Sequence, residues 1–498
     1  MSLLGIDVGT GGCKAAAFRL DGRPVASAYR EYPTLHPAAG WAELDSRHVL
    51  EQVKAVIGEV AAAAAGDPVA ALSVSSMGEA MTPVAADGTV LGNCILFSDS
   101  RGGDLLEPLI APLGPEALYR INPNIPSPNY SLPKLLWLRR HRPELWRAAD
   151  RWLLWGDLVT AALGGEALTS FSLANRTMLF DIAAEDWSAE LLAAAGIERR
   201  NLPRCAPSGA PAGEVSPAAA EELHLPAGAK IIVGGHDQCC NALGAGAIRP
   251  GQAVTGIGTV ECITPVYGHV ADLEAMRSIG LNVEHHVLDG LYVSFLYNQA
   301  GGLVRWFRDT FAAADCARGG RGDVFDVLAG EMPPRPTRLL VLPYFEPTGS
   351  PHFIADASGA ILGLRTSTTR GEILKAIMES TTLYFADTIG LLAELGIDTS
   401  QFVATGGGAR SDAWLQIKAD VMGRPFVRPA ITECGVAGAA MLAGLATGAY
   451  GSPAEAVAQF LRVERTFQPD AARHAVYRRK LAQYRRVFPA VGGLLRGL

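Results

Sequence analysis

The chain has 498 residues, enough for at least two domains with full cores. Hydrophobic residues make up 49% and charged residues 19%, an ordinary balance for a globular protein. A formal net charge of -7 argues against nucleic acid or an anionic membrane as the main partner, so any bound phosphate must be met by local backbone amides, helix ends and a metal ion.

Strand and helix signals alternate along the chain and predict an α/β fold. Leu3 to Val8, Cys13 to Leu20 and Pro24 to Ala28 read as successive strands, with Asp21-Gly22 at the second turn. Helical periodicity from His48 to Ala65 leads to a buried strand at Ala70 to Ser75. The region from Arg101 to Leu202, rich in Leu, Trp, Arg and Ala, reads as mostly helical. A strand at Lys230 to Val233 runs into Gly234-Gly235-His236-Asp237 and a helix over Gln238 to Ala245. The pattern then restarts. Gln252 to Gly256 and Val260 to Thr264 form a strand pair around Gly258-Thr259, as Gly9-Thr10 does at the start. Two Gly-Thr hairpins, one opening each half, indicate a duplicated plan divided at 1–246 and 247–498. A basic helix from about Ala471 packs back as the terminal element.

The 8 cysteines include no C-x-x-C pair, which points to a reducing compartment. The first residues enter a strand without a signal-peptide pattern, and no apolar run of about 18 residues occurs. A cytoplasmic protein is expected.

Four stretches could carry chemistry. In Asp7-Val8-Gly9-Thr10-Gly11-Gly12, with Lys14 beyond, glycines at a tight hairpin let N–H groups approach a phosphate, and Asp7 could hold Mg²⁺ through water. A structural hairpin whose Asp caps the turn fits the same residues. Asp237 follows a strand at its carboxyl end, where ligands of α/β sheets gather. On local grounds alone a plain helix N-cap is the stronger reading of this position. Gly258-Thr259 is a second candidate phosphate turn, and Gly406-Gly407-Gly408 before a helix over Asp412 to Met422 could admit a phosphate or a planar ring.

In this order the stretches resemble the FGGY carbohydrate kinases, within the wider sugar kinase, chaperone-ATPase and actin superfamily, from residue 3 to about residue 450. Leu4-Gly5-Ile6-Asp7-Val8-Gly9-Thr10 is similar to the opening phosphate motif and Gly40-Trp41-Ala42-Glu43 to a segment near the substrate. Lys134-Leu135-Leu136-Trp137-Leu138 is similar to one family signature, which Asn129 departs from, and Gly359 to Glu379 to the other. Gly406 to Gly408 with Trp414, Gln416, Ala419 and Asp420 resembles the adenosine-side motif.

The resemblance implies two actin/hexokinase-like (ribonuclease H-like) domains flanking a deep central cleft, with ATP and Mg²⁺ as cofactors, a small sugar or polyol as acceptor, and a possible homodimer. It implies Asp237 as catalytic base, with Asp7 and Asp237 toward the metal. Thr10, Gly11, Gly12, Lys14, Gly258, Thr259, Gly407 and Gly408 would meet the nucleotide. Trp41, Glu79, Asp99, Arg101 and Asp237 would meet the acceptor. Cues to the acceptor diverge: Glu79 resembles glycerol kinases, Ser98-Asp99-Ser100-Arg101 ketose and gluconate kinases, and Gly-Gly-His-Asp deoxyketose kinases. The expected activity is phosphorylation of a small sugar, foremost a xylulose-like ketose. A chaperone-like ATPase would do without an acceptor base, and a silent sugar-binding relative would have lost Asp7 or Asp237.

Overall fold

The computed structural model describes residues 1–269, 272–318, 321–356, 358–431 and 433–495. Two large sheets organise them. In the first, the strands lie in the order Pro211–Glu214, Lys230–His236, Val69–Ser76, Ser2–Val8, Gly12–Arg19, Pro24–Glu31. In the second, the corresponding path is Val463–Phe467, Phe426–Pro429, Gln401–Thr405, Gln252–Ile257, Val260–Tyr267, Leu296–Gln299. Along both paths the pairings run antiparallel, parallel, parallel, antiparallel, antiparallel. The duplication expected from the two Gly-Thr turns is therefore a duplication of sheet topology. One difference is visible at the outer edge: its strand precedes its neighbour in the first half and follows it in the second.

The parallel strands Ser2–Val8 and Val69–Ser76 are buried almost end to end, as continuous apolar runs covered on both faces should be. Helix Ser46–Ala63 turns Val49, Val53, Val56, Ile57 and Val60 inward at three- and four-residue spacing. Its start is set by Asp45, whose carboxylate accepts from the N–H groups of Arg47 and His48. Helix Arg370–Glu394 opens on a Thr369/Glu372 capping box. Helix Asp412–Met422 has the expected bounds, with Ser411 capping the N–H of Trp414.

Region 101–202 is helical in the main, but three ribbons interrupt or flank it. Thr82–Val84 pairs with Arg151–Leu153, Leu168–Ser170 with Arg204–Ala206, and Phe180–Asp181 with Asp186–Trp187. Strands of two or three residues are too short to show a period in sequence.

Helices Asp237–Gly244 and Cys434–Ala446 cross back to back. A Cβ on Gly244 would fall 1.9 Å from the carbonyl oxygen of Cys434, and one on Gly438 1.9 Å from that of Cys240. Gly5 on the first strand is pressed as closely on the carbonyl of Val436. Three backbones thus meet without side chains between them. Among the described residues no helix is long and apolar enough to cross a membrane.

Candidate active site

The parallel strands of the first sheet end at Val8, Ser76 and His236, and a cavity of about 340 Å³ opens at those ends. The first half contributes Thr10, Glu79, Tyr130, Arg176 and Asp237, and the second contributes Cys262, Asn282, Phe295, Tyr297 and Phe353. Both halves therefore build one site.

Asp237 is the first residue of its helix, and the cap position belongs to His236, which makes no side-chain cap bond. The plain N-cap is thus not the role of this carboxylate. Its nearest ionisable neighbour is His236 Nε2 at 3.3 Å, with 33% of the Asp237 side chain still open. Burial holds the His236 imidazole far below its usual pKa, with Arg176 adding to the effect, so the ring is neutral and brings no compensating charge. Burial pushes the Asp237 carboxyl up to about 7, and the negative neighbours Asp7 and Glu79 add to the rise. Asp7 is pushed up to about 6 by burial, despite a 2.5 Å hydrogen bond donated by Ser75 Oγ.

The first hairpin closes through Gly9 N–H to the Gly12 carbonyl at 2.9 Å, and Tyr32 OH braces it on the Gly9 carbonyl at 2.6 Å. Thr10 at its tip lines the cavity, while Lys14 pairs with Glu433 at 2.8 Å along a separate groove. Gly258, Thr259, Gly407 and Gly408 come together around a second cavity of about 920 Å³, with Gly301, Arg305, Met378 and Trp414. The second hairpin is clamped there: Gly301 and Gly302 N–H donate to the carbonyls of Gly258 (3.1 Å) and Thr259 (2.9 Å). A Cβ on Gly408 would lie 2.3 Å from Ile257 Cγ2, so the Gly-run packs against the second hairpin only because it carries no side chain.

Trp41, Asp99 and Arg101 do not line the 340 Å³ cavity. Arg101 lies over Trp41 (4.1 Å) and Trp137 (4.8 Å), donates to Asp99 at 2.6 Å and reaches Glu43 at 2.7 Å. Asp99 also accepts the Ala42 N–H at 2.6 Å. Burial opposes its ionisation, yet the bonds from Arg101 hold the carboxyl below its usual range. These charges satisfy one another. Glu79, in contrast, is in the cavity wall beside Asp237.

Arg176 lines the cavity too, and sequence reasoning passed over it. The signal was a lone cation in a wholly buried stretch, Asn175-Arg176-Thr177 between Leu173-Ala174 and Met178-Leu179-Phe180. Tyr130, Asn282 and Phe295 had no such mark.

Two carboxylates with raised pKa, a Thr-tipped hairpin at one cavity and a Gly-Thr hairpin with a Gly-run at the other are an arrangement compatible with phosphoryl transfer. Comparison with known proteins agrees. The chain matches the FGGY family of carbohydrate kinases, N-terminal domain, over residues 2–244 and the C-terminal domain over 281–447. It is 27% identical to the xylulose kinase of Bacillus subtilis, covering 98% of this chain and 96% of that one. It is 32% identical to the glycerol kinase of Bordetella parapertussis, covering 94% and 92%. The crystal structure of xylulose kinase from Rhodospirillum rubrum superposes with a TM-score of 0.90 at 28% identity, covering 99% and 100%. Two α/β domains around a central cleft, matched to these relatives over nearly the whole length, identify the chain as an ATP-dependent phosphotransferase of the FGGY family of carbohydrate kinases.

Proposed function

We propose that the chain transfers the terminal phosphoryl group of ATP to a hydroxyl of a xylulose-like ketose, with Asp237 as general base. The observation that carries this reading is the Asp237 carboxylate, free of a capping role, in a cavity walled by both halves. The ketose is favoured by the xylulose kinases of Bacillus subtilis and Rhodospirillum rubrum, which are similar along nearly the full chain. Glycerol is the second reading, supported by the Bordetella relative and by Glu79 in the cavity wall.

In the proposed reaction Asp237 accepts a hydrogen bond from the attacking hydroxyl. As the new oxygen–phosphorus bond forms and the bond to the leaving ADP oxygen breaks, the proton passes to the carboxylate. A carboxyl held near 7 suits this duty, since it is half ionised near neutral pH and basic enough to keep the proton. Thr10 and Thr259 would stabilise the equatorial oxygens from opposite halves, so bringing the halves together would complete the site and exclude water.

Mg²⁺ fits the residues present. The negative charge of Asp7 adds to the burial that raises the Asp237 carboxyl, the mark of a carboxylate with too little positive charge nearby. Among the described residues no group of three His, Cys, Asp or Glu could enclose a metal. Mg²⁺ would therefore be shared between these carboxylates, water and the phosphates, and would neutralise phosphate charge. We place the domain boundary at 246/247, in the turn leading to the second set of strands. An ATP-consumption assay over D-xylulose, L-fuculose, D-gluconate and glycerol tests the reading: turnover should be fastest with the ketose. Turnover with glycerol alone would establish the second reading instead.

A further inference from the structure

Arg176 carries charge across the boundary between the two halves. Its Nε donates to Glu79 Oε1 at 2.6 Å, and its Nη2 contacts the same oxygen. Its Nη1 donates to Glu284 Oε1 at 2.7 Å, on a strand of the second sheet. All three side chains are buried, with Glu284 at 0% exposure. The guanidinium is flanked by Tyr130 at 4.8 Å and Phe295 at 5.4 Å, one ring from each half. Two carboxylates sharing one cation leave a net negative charge in an aromatic enclosure. Such an arrangement is held by close geometry, because Glu284 has no water to fall back on and Glu79 meets it only on the cavity side.

The surroundings fix that geometry. Asn282 Nδ2 donates to Glu284 Oε1 at 2.7 Å, and the Asn282 Oδ1 accepts the N–H of Phe295 at 2.9 Å. The same segment is fastened to the first half by Val283 N–H to the Pro123 carbonyl (2.9 Å) and His285 N–H to Asn175 Oδ1 (3.3 Å). Glu79 has a left-handed backbone at φ 38°, a conformation that needs outside support in a residue with a long side chain. Ser131 Oγ supports its carbonyl at 2.7 Å.

We infer that Arg176, steered from the other half by Glu284, is a positioning residue that fixes the Glu79 carboxylate as the receptor for acceptor hydroxyls. This rests on the kinase reading of the cavity above. Glu284 does not line that cavity and reaches it through two lining residues that it bonds, Arg176 and Asn282; the route through Arg176 to Glu79 is the one the double variant isolates. The acceptor pocket is then complete only while the Glu284 strand is seated against the first half. A guanidinium fork can hold two carboxylates in register, and an ammonium offers only a point charge.

The test is steady-state kinetics of Glu284→Gln, Arg176→Lys, Glu79→Gln and the Glu79→Gln/Glu284→Gln double variant, with the sugar that the wild type phosphorylates. Glu284→Gln should raise the acceptor KM about tenfold or more and leave the KM for ATP within about twofold. In the Glu79→Gln background the same change should add nothing further to the acceptor KM. Arg176→Lys should reproduce the acceptor defect. An unchanged acceptor KM in Glu284→Gln overturns the inference, as does a full additional effect in the double variant. Equal losses for ATP and acceptor would mark a structural strut and also overturn it. Lack of turnover by the wild type with every sugar in the panel would instead remove the kinase reading on which the inference stands.

Discussion

Replacing Asp237 with Asn should stabilise the protein at pH 8 while removing its activity. The carboxyl moves from about 3.8 in the unfolded chain to about 7 in the folded one, chiefly through burial. A folded state with the higher pKa binds the proton more tightly. The stability this group contributes is therefore full below about 3.8 and is lost as pH rises to about 7. Three units correspond to about 4 kcal/mol at pH 8, and water reaching the 33% of the side chain that is open reduces this to roughly 2 kcal/mol. Asn has nearly the same shape and no charge, so it escapes that penalty. For a domain of this size the gain is roughly 5 °C in Tm. Turnover should fall at least about 10²-fold with the loss of a general base. Thermal unfolding of both proteins at pH 8 and pH 4 is the assay. The Tm difference should be present at pH 8 and shrink toward zero at pH 4. A variant no more stable than the wild type at pH 8 would refute the argument from burial, and near-normal turnover would refute the role of the base.

The same groups govern pH dependence. Below about 7, kcat/KM for the acceptor should fall tenfold per pH unit as Asp237 protonates, and more steeply below about 6 where Asp7 follows; a flat profile to pH 5 would contradict both assignments. If the 920 Å³ cavity takes the nucleotide, Gly408→Ala should raise the KM for ATP at least tenfold and spare the acceptor KM in initial-rate kinetics, because the added methyl meets Ile257 at the cavity floor. Lys418 and Glu261 form a fully buried pair at 2.6 Å beneath the second hairpin. Lys418→Met should cost about 3–5 kcal/mol in urea unfolding by stranding the carboxylate, and adding Glu261→Gln should restore much of it.

The elements that carry phosphate-sized turns were legible because glycines and strand periods are local signals. Both hairpins and the helix Asp412–Met422 stand where the residue pattern placed them, while the strand from Lys230 runs three residues past the expected Val233, through both glycines to His236. Partnerships between distant residues had no local trace. Arg176 and Glu284 are 108 positions apart, and nothing near either one announces the other. Asp99 and Arg101 show the opposite difficulty. The family resemblance marks them for the acceptor, and the fold pairs them with each other and with Trp41 and Glu43, contacts that no local pattern shows. Asp237 was ambiguous for a third reason: a capping residue and an acid at the first helical position differ by one step in register, below what sequence periodicity resolves.

The meeting of Gly5, Gly244 and Gly438 with their neighbours' carbonyls restricts how this kinase can move. Sliding between packed helices depends on side chains that change rotamer as they pass, and at these contacts there are none to change. Relative motion of the two sheets must therefore be a rotation pivoting on this backbone junction, with displacement growing toward the hairpin tips. Amides of the Cys434–Ala446 helix should accordingly be among the slowest in the molecule to exchange with deuterium, and those at the hairpin tips near Thr10 and Thr259 among the faster.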